Sequence, residues 1–334
     1  MSQLPEPRPY AQLTPDVILD SVEALGYPVS GHLTALNSYE NRVYMLGVED
    51  QSDLVVKYYR PDRWTRDQIL EEHQFTFELL EDDLPVIAPI KIDGESIFDA
   101  SPYQFSLFEK RSGHPLELDN LTHLEQTGRI LARVHSVGIR NQFESRREIT
   151  PGEYGWKSRE TVINSGFLPF ELEEAYKTTS SFLLEAIDEI WSSVSFKSQR
   201  VHGDFHPGNI LYRDQSPWLL DFDDCIIGPR IQDIWMLLSG DEIQQQEQLN
   251  IIMKGYRMFS DLDPEELKLI ESCRSLRILH YAAWLSNRWL DPAFPAAFPW
   301  FEHARFWSDH ILQLKEQLAQ VNLLELKLPN QYVL

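Results

Sequence analysis

The sequence has 334 residues, of which 43% are hydrophobic, so it can bury a substantial core and exceeds the usual size of one simple domain. We therefore expect two lobes. The formal net charge of −22 argues against a nucleic-acid partner and against an anionic membrane surface, because both are bound through clustered Lys and Arg. We interpret the acidity mainly as a source of solubility, and the alternative is a field that attracts a cationic substrate.

The two cysteines, Cys225 and Cys273, are too few for a disulfide framework in a chain of this length, which favours a reducing compartment. Residues 1–16 lack the basic start and apolar core of a secretory signal. No stretch approaches the ~20 consecutive apolar residues that span a bilayer, and no coiled-coil seam is visible. These features predict a cytoplasmic monomer without a membrane partner.

The N-terminal third has the pattern of a small α+β lobe. A first helix is predicted to begin after Thr14 as N-cap, with Pro15 at its first position. Strands are predicted at 42–48, 54–60, 87–93 and 103–110, and a second helix at 65–80 with Ile69, Phe77 and Leu80 facing inward. We assign residues 1–110 to this lobe.

From Gly113 onward, apolar residues recur mainly with helical spacing. The predicted helices are 121–136, 170–194, 231–238, 242–258 and 264–290. The boundary is placed at 109–114, and residues 111–334 are assigned to a larger, mainly helical lobe.

Residues 202–224 read HGDFHPGNILYRDQSPWLLDFDD and contain the residue types that phosphoryl transfer requires. Asp204 can orient an acceptor hydroxyl and take its proton, while Asn209 follows on the same loop. Asp221 comes directly after an apolar strand at 218–220, and oxygen ligands on short loops suit Mg²⁺, which shares phosphate oxygens. The pattern predicts a phosphotransferase that uses ATP and Mg²⁺, with Asp204 and Asp221 as catalytic residues and Asn209 and Asp221 as metal ligands.

This loop is similar to the Brenner-type motif of kinases with the aminoglycoside phosphotransferase fold, which are distant relatives of protein kinases. The chain as a whole resembles the bacterial stress response kinase A family of Ser/Thr kinases. The resemblance implies an α+β, bilobal, protein-kinase-like fold with a nucleotide-binding N-terminal lobe and a catalytic, substrate-binding C-terminal lobe. It is carried by LNSYENRVY (36–44), VVKYYRPDRW (55–64), DQILEEHQF (67–75), QDIWMLLSGD (232–241) and DPAFPAAFPW (291–300).

Lys57, in the apolar-rich segment VVKYY, corresponds to the lysine of V-A-I-K in protein kinases, which implies that it holds ATP phosphates. The alternative is a solvent-facing strand lysine. A helix glutamate would align Lys57, and Glu72 fits the related kinases better than Glu71. A charged helix position is otherwise usually a solvated face.

The nucleotide-covering turn at 37–42 departs from protein kinases, because no G-x-G-x-x-G is present. Backbone amides must then bind the phosphates, and Ser38 can add a hydroxyl donor, with Asn41 as a weaker candidate. The alternative is that both side chains only stabilise the turn. The strand that ends near 108–110 would offer backbone hydrogen bonds to adenine.

Several neighbouring residues have structural or undecided assignments. Asp223 is either a second metal contact or a loop carboxylate, whereas Asp224 and His202 are assigned structural roles. Asp233 is predicted to brace the catalytic loop from the following helix. The aromatic stretch at 281–301 is more typical of packing than of a cofactor site, although it could also shape a substrate groove.

The leading functional hypotheses differ in the molecule that accepts the phosphate. The family resemblance favours Ser/Thr hydroxyls of proteins, in a stress response and with phosphoprotein products. Only about ten residues separate Asp221 from the next helix, and the loop lacks the Arg of H-R-D, so activation by loop phosphorylation is not expected. A small-molecule acceptor such as an aminoglycoside, choline or homoserine therefore stays open, and acidic helices such as 261–271 could recognise a cationic one. A third hypothesis is an inactive kinase-like scaffold, which the retained motif residues disfavour.

Overall fold

The computed structural model describes residues 9–213, 216–323 and 326–329. Two earlier predictions fall partly outside the described residues. They concern the N-terminal segment 1–16, of which 1–8 are not described, and the 202–224 motif, of which 214–215 are not described. The chain forms two compact units. The first contains the residues up to His114 with 211–223 and 291–293, and the second contains 115–210, 224–290 and the residues from Phe294 onward. The functional lobes 1–110 and 111–334 stay a prediction.

The first unit is built on a five-stranded antiparallel sheet with the strand order β1-β2-β3-β5-β4. Because β3 lies between β2 and β5, Lys57 is opposite Val43 on one side and Ser106 on the other. Lys57 thus occupies the centre of the sheet. The strands are β1 (Val29–Ala35), β2 (Arg42–Val48), β3 (Leu54–Tyr58), β4 (Phe98–Ala100) and β5 (Tyr103–Glu109).

Both helices predicted for this unit are present. Helix α1 (Pro15–Glu23) begins after Thr14, whose side chain accepts a hydrogen bond from the Val17 amide. Helix α2 (Arg66–Glu81) begins with a capping box between Thr65 and Gln68. These local signals fix the start of each helix.

The inward face of α2 differs from the prediction. Leu80 is 42% exposed, so its inward orientation was predicted wrongly, and Phe77 is only half-buried. The buried side chains are Ile69, Glu72, His73, Phe75, Thr76 and Leu79. Hydrophobic spacing does not predict this face, because Glu72 and His73 are polar residues that are buried through contacts with Lys57 and Tyr59.

One predicted strand is absent, and two strands of the sheet were not predicted. The segment 87–93 forms no strand and contributes only isolated bridges, between Pro89 and Phe108 and between Ile92 and Glu95. Pro89 has no N–H to donate to a ladder, which explains the interruption. Strands β1 and β4 were not predicted; β1 is mostly exposed and shows no alternation of apolar residues.

The second unit is mainly helical, as predicted, but α4 and α10 were not anticipated and the predicted helix 264–290 divides into a 3-10 turn at Pro264–Leu269 and α8. Outside the five-stranded sheet, the described short strands are β6 (His114–Pro115), β7 (Gln199–Val201), β8 (Ile210–Arg213), β9 (Ser216–Leu219) and β10 (Ile226–Gly228). Strand β9 and residues 211–213 of β8 belong to the first unit, whereas β7 and β10, which pair antiparallel, belong to the second. The helices are α3 (Leu121–Gly138), α4 (Lys157–Asn164), α5 (Phe170–Ser193), α6 (Ile231–Trp235), α7 (Glu242–Tyr256), α8 (Ile270–Arg288), α9 (Ala293–Ala297) and α10 (Ala304–Val321).

The core of the second unit lies among α5, α8 and α10. Phe294 and Phe301 are fully buried there, and the rings of Trp284 and Phe294 are 4.9 Å apart. Phe294 and Phe301 therefore serve packing, as interpreted for 281–301, whereas Tyr281 and Trp300 stay partly exposed, and the alternative that the segment shapes a substrate groove stays a prediction. Across the described ranges, no helix has both the length and the apolar character to cross a bilayer.

Candidate active site

The side chain of Lys57 meets three carboxylates within the first unit. Its Nζ lies 2.9 Å from Asp223 Oδ1, 3.3 Å from Asp221 Oδ1 and 3.5 Å from Glu72 Oε1. The Lys57 side chain is only 7% exposed, so the alternative of a solvent-facing strand lysine is wrong.

The charge of Lys57 is maintained by these neighbours. Burial alone would lower the pKa of Lys57, but the Asp223, Glu72 and Asp221 carboxylates outweigh burial and hold that pKa well above its usual value. The ammonium group therefore stays protonated at physiological pH. A fixed buried cation of this kind suits an anionic ligand such as phosphate.

Of the two glutamates considered as the partner of Lys57, Glu72 makes the contact. Glu72 is 2% exposed and lies on the buried face of α2, one residue after Glu71. A buried carboxylate requires a nearby cation, which Lys57 supplies.

Asp221 and Asp223 have different environments although they are two residues apart. Asp221 follows β9, has a φ of 59° and keeps 53% of its side chain exposed, so its carboxylate can meet a ligand. Asp223 is 3% exposed and is bound by both Lys57 and Arg63. The geometry favours the loop-carboxylate interpretation of Asp223.

The nucleotide-covering turn is held by its own side chains. Ser38 Oγ donates to the Asn41 carbonyl at 3.2 Å, and Asn41 Oδ1 accepts from the Arg60 amide at 3.1 Å. These are the turn-stabilising contacts of the alternative interpretation, and a contact of Ser38 with ATP stays a prediction. Arg42 Nη1 adds hydrogen bonds to the carbonyls of Tyr39 and Asn41.

A chain of ion pairs, which no sequence motif predicted, extends from Lys57 to this turn. Arg63 binds Asp223 and lies 3.7 Å from Glu40, which is also 3.7 Å from Arg60. Arg60 in turn binds Asp291 at 2.9 Å. Arg42 binds the same Asp291 carboxylate at 3.1 Å. The resembling segments 36–44, 55–64 and 291–300 contain every member of this chain except Asp223, but no local pattern shows that they meet.

The proposed adenine-binding strand ends where expected. β5 runs to Glu109, Phe108 is opposite Val55, and Lys110 pairs with Asp53 at 2.6 Å. The register of any adenine contact around 108–110 stays a prediction.

Asp204 lies in the second unit, on the loop between β7 and a 3-10 turn at Pro207–Asn209. Asn209 Nδ2 donates to the Asp204 carbonyl at 2.9 Å, so the two predicted site residues of this loop are in contact. Arg277 Nη2 lies 2.7 Å from Asp204 Oδ1, and His206 Nε2 lies 3.5 Å from Oδ2. Burial would raise the pKa of Asp204, but Arg277, His206 and His202 together hold it below its usual value.

Asp233 braces this loop, as predicted. Its Oδ2 accepts from the His202 amide at 2.9 Å and its Oδ1 from the Gly203 amide at 2.8 Å. His135 Nε2 lies 3.1 Å from the same Oδ2. His202 is fully buried, and its Nδ1 accepts from the Asp204 amide at 3.3 Å. Both residues therefore act on the backbone that carries Asp204.

Lys57, Glu72 and Asp221 thus meet in the first unit, while Asp204 and Asn209 meet in the second. Among the described residues, no three His, Cys, Asp or Glu side chains are grouped to hold a metal by themselves. The side-chain oxygens of Asn209 and of Asp221 are each of the hard-donor type that Mg²⁺ takes in proteins, and their binding of one shared ion stays a prediction. The Asn209 amide nitrogen is committed to the loop, so its oxygen is the atom that a cation would meet, and Asp221 offers a half-exposed carboxylate.

Comparison with known proteins gives the family. Residues 32–270 match the phosphotransferase enzyme family, APH. The chain belongs to this family. The prediction of an enzyme of the kinase class is confirmed by the family and by the names of its relatives.

Three relatives illustrate the similarity, each aligned over 308 residues that cover 92% of this chain and 93% of the relative. The stress response kinase A proteins of Escherichia coli (strain K12) and Salmonella choleraesuis (strain SC-B67) are each 41% identical to it. A protein of Salmonella typhimurium (strain LT2), also 41% identical, is named serine/threonine protein kinase RdoA. The resemblance to the stress response kinase A family is confirmed.

Solved structures with low sequence identity share the fold. Amicoumacin kinase hAmiN superposes with a TM-score of 0.69 at 21% identity, over 90% of this chain and 92% of that one. Choline kinase LicA from Streptococcus pneumoniae gives 0.64 at 15% identity, over 91% and 98% of the two chains. The predicted α+β kinase-like fold is confirmed.

Proposed function

We propose that this protein is a kinase that transfers the γ-phosphate of ATP to Ser/Thr hydroxyls of proteins, with Mg²⁺ as cofactor and in a bacterial stress response. The observation that carries the proposal is 41% identity, over 92% of the chain, to a relative named as a serine/threonine protein kinase. The buried Lys57–Glu72 pair and the braced Asp204 loop support an active enzyme rather than a scaffold. A cytoplasmic monomer that binds neither nucleic acid nor membrane is part of the same proposal.

In this proposal Lys57 binds ATP phosphates, Glu72 orients Lys57, and Ser38 donates to phosphate from the covering turn. The permanent charge of Lys57 supports its role, because a cation that is already buried and fixed needs little reorganisation when phosphate binds. Ser38 would exchange its bond to the Asn41 carbonyl for a phosphate oxygen.

Asn209 and Asp221 would each contribute an oxygen ligand to Mg²⁺. The bound ion would neutralise charge on the phosphate oxygens and orient the terminal phosphate. Asp221 also lies 3.3 Å from Lys57, so the same carboxylate helps to keep the lysine charged.

Asp204 would act on the acceptor. It accepts a hydrogen bond from the Ser/Thr hydroxyl and takes its proton, while the hydroxyl oxygen bonds to the γ-phosphorus and the bond to the β-phosphate oxygen breaks. The products are a phosphorylated hydroxyl and ADP. The contacts of Asp233 with the His202 and Gly203 amides would keep Asp204 in position.

A small-molecule acceptor is the second candidate. It is favoured by the short chain after Asp221, in which a 3-10 turn at Phe222–Asp224 and β10 lead to α6 at Ile231. The described chain between Asp221 and α6 is therefore too short to include a long activation segment on which a peptide would dock.

The deciding experiment incubates the full chain with Mg²⁺ and labelled ATP, beside generic Ser/Thr-containing proteins and a panel of aminoglycosides, choline and homoserine. We expect label on protein Ser/Thr, and loss of that label in Asp204→Asn. Label only on a small molecule would replace the protein acceptor by the second candidate. Absence of transfer to every acceptor would support a scaffold.

A further inference from the structure

An arginine from α8 is paired with the carboxylate proposed to take the acceptor proton. Arg277 Nη2 lies 2.7 Å from Asp204 Oδ1, as an ion pair whose geometry falls short of an aligned hydrogen bond. The Arg277 side chain is 46% exposed, whereas that of Asp204 is 20% exposed. The guanidinium therefore forms part of the surface that an acceptor meets on reaching Asp204 in the second unit.

The same face of α8 continues with aromatic side chains. Tyr281 follows Arg277 by four residues and Trp284 by seven, a spacing that places all three on one side of a helix. Tyr281 is 40% exposed, and its ring stacks on Trp284 with centroids 5.7 Å apart. This face offers an extended surface next to Asp204 that begins with a cation.

The position of Arg277 changes the charge that an acceptor encounters. Asp204 alone would attract a positive group beside the reacting hydroxyl, but Arg277 neutralises this carboxylate and keeps nearly half of its own side chain exposed. The net charge of −22 is spread over the whole chain, and salt screens charges beyond about 8 Å. Close to the acceptor, Arg277 therefore has more influence than the total charge.

Cationic acceptors are disfavoured by this arrangement. Aminoglycosides and choline carry ammonium groups close to the hydroxyls that accept phosphate, and an ammonium near Arg277 would be repelled. A carboxylate side chain near the hydroxyl would instead bind the exposed part of the guanidinium, because Arg can form several hydrogen bonds in one plane.

We infer that Arg277 is a specificity-determining residue that selects Ser/Thr hydroxyls flanked by Asp or Glu in a protein substrate. The inference rests on the proposed protein kinase function and deepens it by naming the class of acceptor. It argues against the alternative interpretation of the total charge, in which an acidic field attracts a cationic acceptor.

The test uses the full-length protein and three peptide substrates that share one Ser and differ only in flanking Glu, Gln or Lys residues. We expect kcat/KM to be at least tenfold higher for the Glu-flanked than for the Lys-flanked peptide. Arg277→Gln should bring this ratio close to one, and Arg277→Glu should invert it. The matched control is Arg305→Gln, since Arg305 is 91% exposed on α10, and it should leave the ratio unchanged.

Three results would overturn the inference. Equal use of the three peptides by the unmodified protein would overturn it while leaving the protein kinase function intact, and this measurement depends on no variant. An equal fall in kcat/KM for all three peptides in Arg277→Gln would show that Arg277 only positions Asp204. Transfer to choline or an aminoglycoside alone, with no peptide labelled, would overturn both the inference and the proposed function.

Discussion

The Lys57 ammonium lies closer to Asp223, at 2.9 Å, than to Glu72, at 3.5 Å. Asp223 also binds Arg63, which in turn contacts Glu40 in the nucleotide-covering turn. Lys57 is thus held by a network that links α2 to this turn, in addition to the expected glutamate. A change at any member of the network should affect both stability and nucleotide binding.

Lys57→Met keeps most of the side-chain volume and removes the charge. We expect kcat/KM for ATP to fall by roughly 10²–10³-fold, as when one preorganised charge-stabilising group is lost. The buried Glu72 and Asp223 would lose a cation, which costs about 3–5 kcal/mol of unfolding free energy. Steady-state kinetics at varied ATP measure the first effect, calorimetric titration with ATP checks binding separately, and chemical denaturation measures the second effect.

The control is Lys157→Met, because Lys157 is 64% exposed and pairs with Glu153 on the surface. It should change neither quantity appreciably. Unchanged ATP binding in Lys57→Met would contradict the proposed role of Lys57.

Asp223→Asn separates the structural and metal-binding interpretations of Asp223. Because this carboxylate is buried between Lys57 and Arg63, the variant should lose about 3 kcal/mol or more of unfolding free energy. The Mg²⁺ concentration for half-maximal activity should stay the same. Asp221→Asn should raise that concentration with a smaller effect on stability, since Asp221 is half-exposed. A raised Mg²⁺ requirement in Asp223→Asn would restore the metal-contact interpretation.

The parts of the fold that follow local rules could be predicted from the sequence. Thr14 and Thr65 cap α1 and α2, and regular apolar spacing indicated α3, α5 and α7. Strand β1 was missed because it is mostly exposed, and no prediction covered the segment that forms α10. A strand such as β1, whose residues do not alternate between apolar and polar, depends on its pairing with a neighbouring strand, and this pairing cannot be read from a single sequence.

In the candidate site, too, some features follow from local sequence and others depend on tertiary contacts. The spacing of Asp204, Asn209 and Asp221 was sufficient to predict phosphoryl transfer, and Glu72 was preferred on family resemblance. The pairing of Arg277 with Asp204 joins residues 73 positions apart on a loop and a helix, and no motif connects them. Such charge pairs depend on packing, so they become visible only in the structure.

Gly203→Ala tests how tightly the loop before Asp204 is packed. Gly203 has a φ of +81°, and an added Cβ would lie 2.2 Å from the Asp224 carbonyl oxygen. Gly166 has a similar φ of +78° but nothing within 4 Å of such a Cβ, so Gly166→Ala is a matched control. Both variants incur the left-handed strain of about 1–2 kcal/mol.

Only Gly203→Ala should also displace the loop, with at least a tenfold loss of kcat and a larger drop in thermal stability than in Gly166→Ala. Parallel kcat and melting measurements compare the two variants. Equal effects would mean that backbone strain, rather than the contact with Asp224, limits this position.

His310 on α10 should make stability depend on pH. The residue is 4% exposed and its ring stacks with those of Tyr176 and Phe306, at centroid distances of 5.9 Å and 5.7 Å. Burial lowers the pKa of His310 from 6.5 to about 4, so the unfolded chain binds a proton there that the folded chain does not. The folded state therefore loses stability as pH falls from about 6.5 to about 4, by up to about 3 kcal/mol from this residue.

His310→Phe keeps an aromatic ring in the cluster and removes the titrating group. The unfolding free energy of this variant, measured by denaturant titration at several pH values, should fall less steeply than that of the unmodified protein across this window. His303→Phe, at an exposed position seven residues earlier, is the control and should keep the original slope. If the curves for His310→Phe and the unmodified protein ran parallel from pH 6.5 to 4, the loss on acidification would have to come from other groups, because His310 would then bind protons equally in both states.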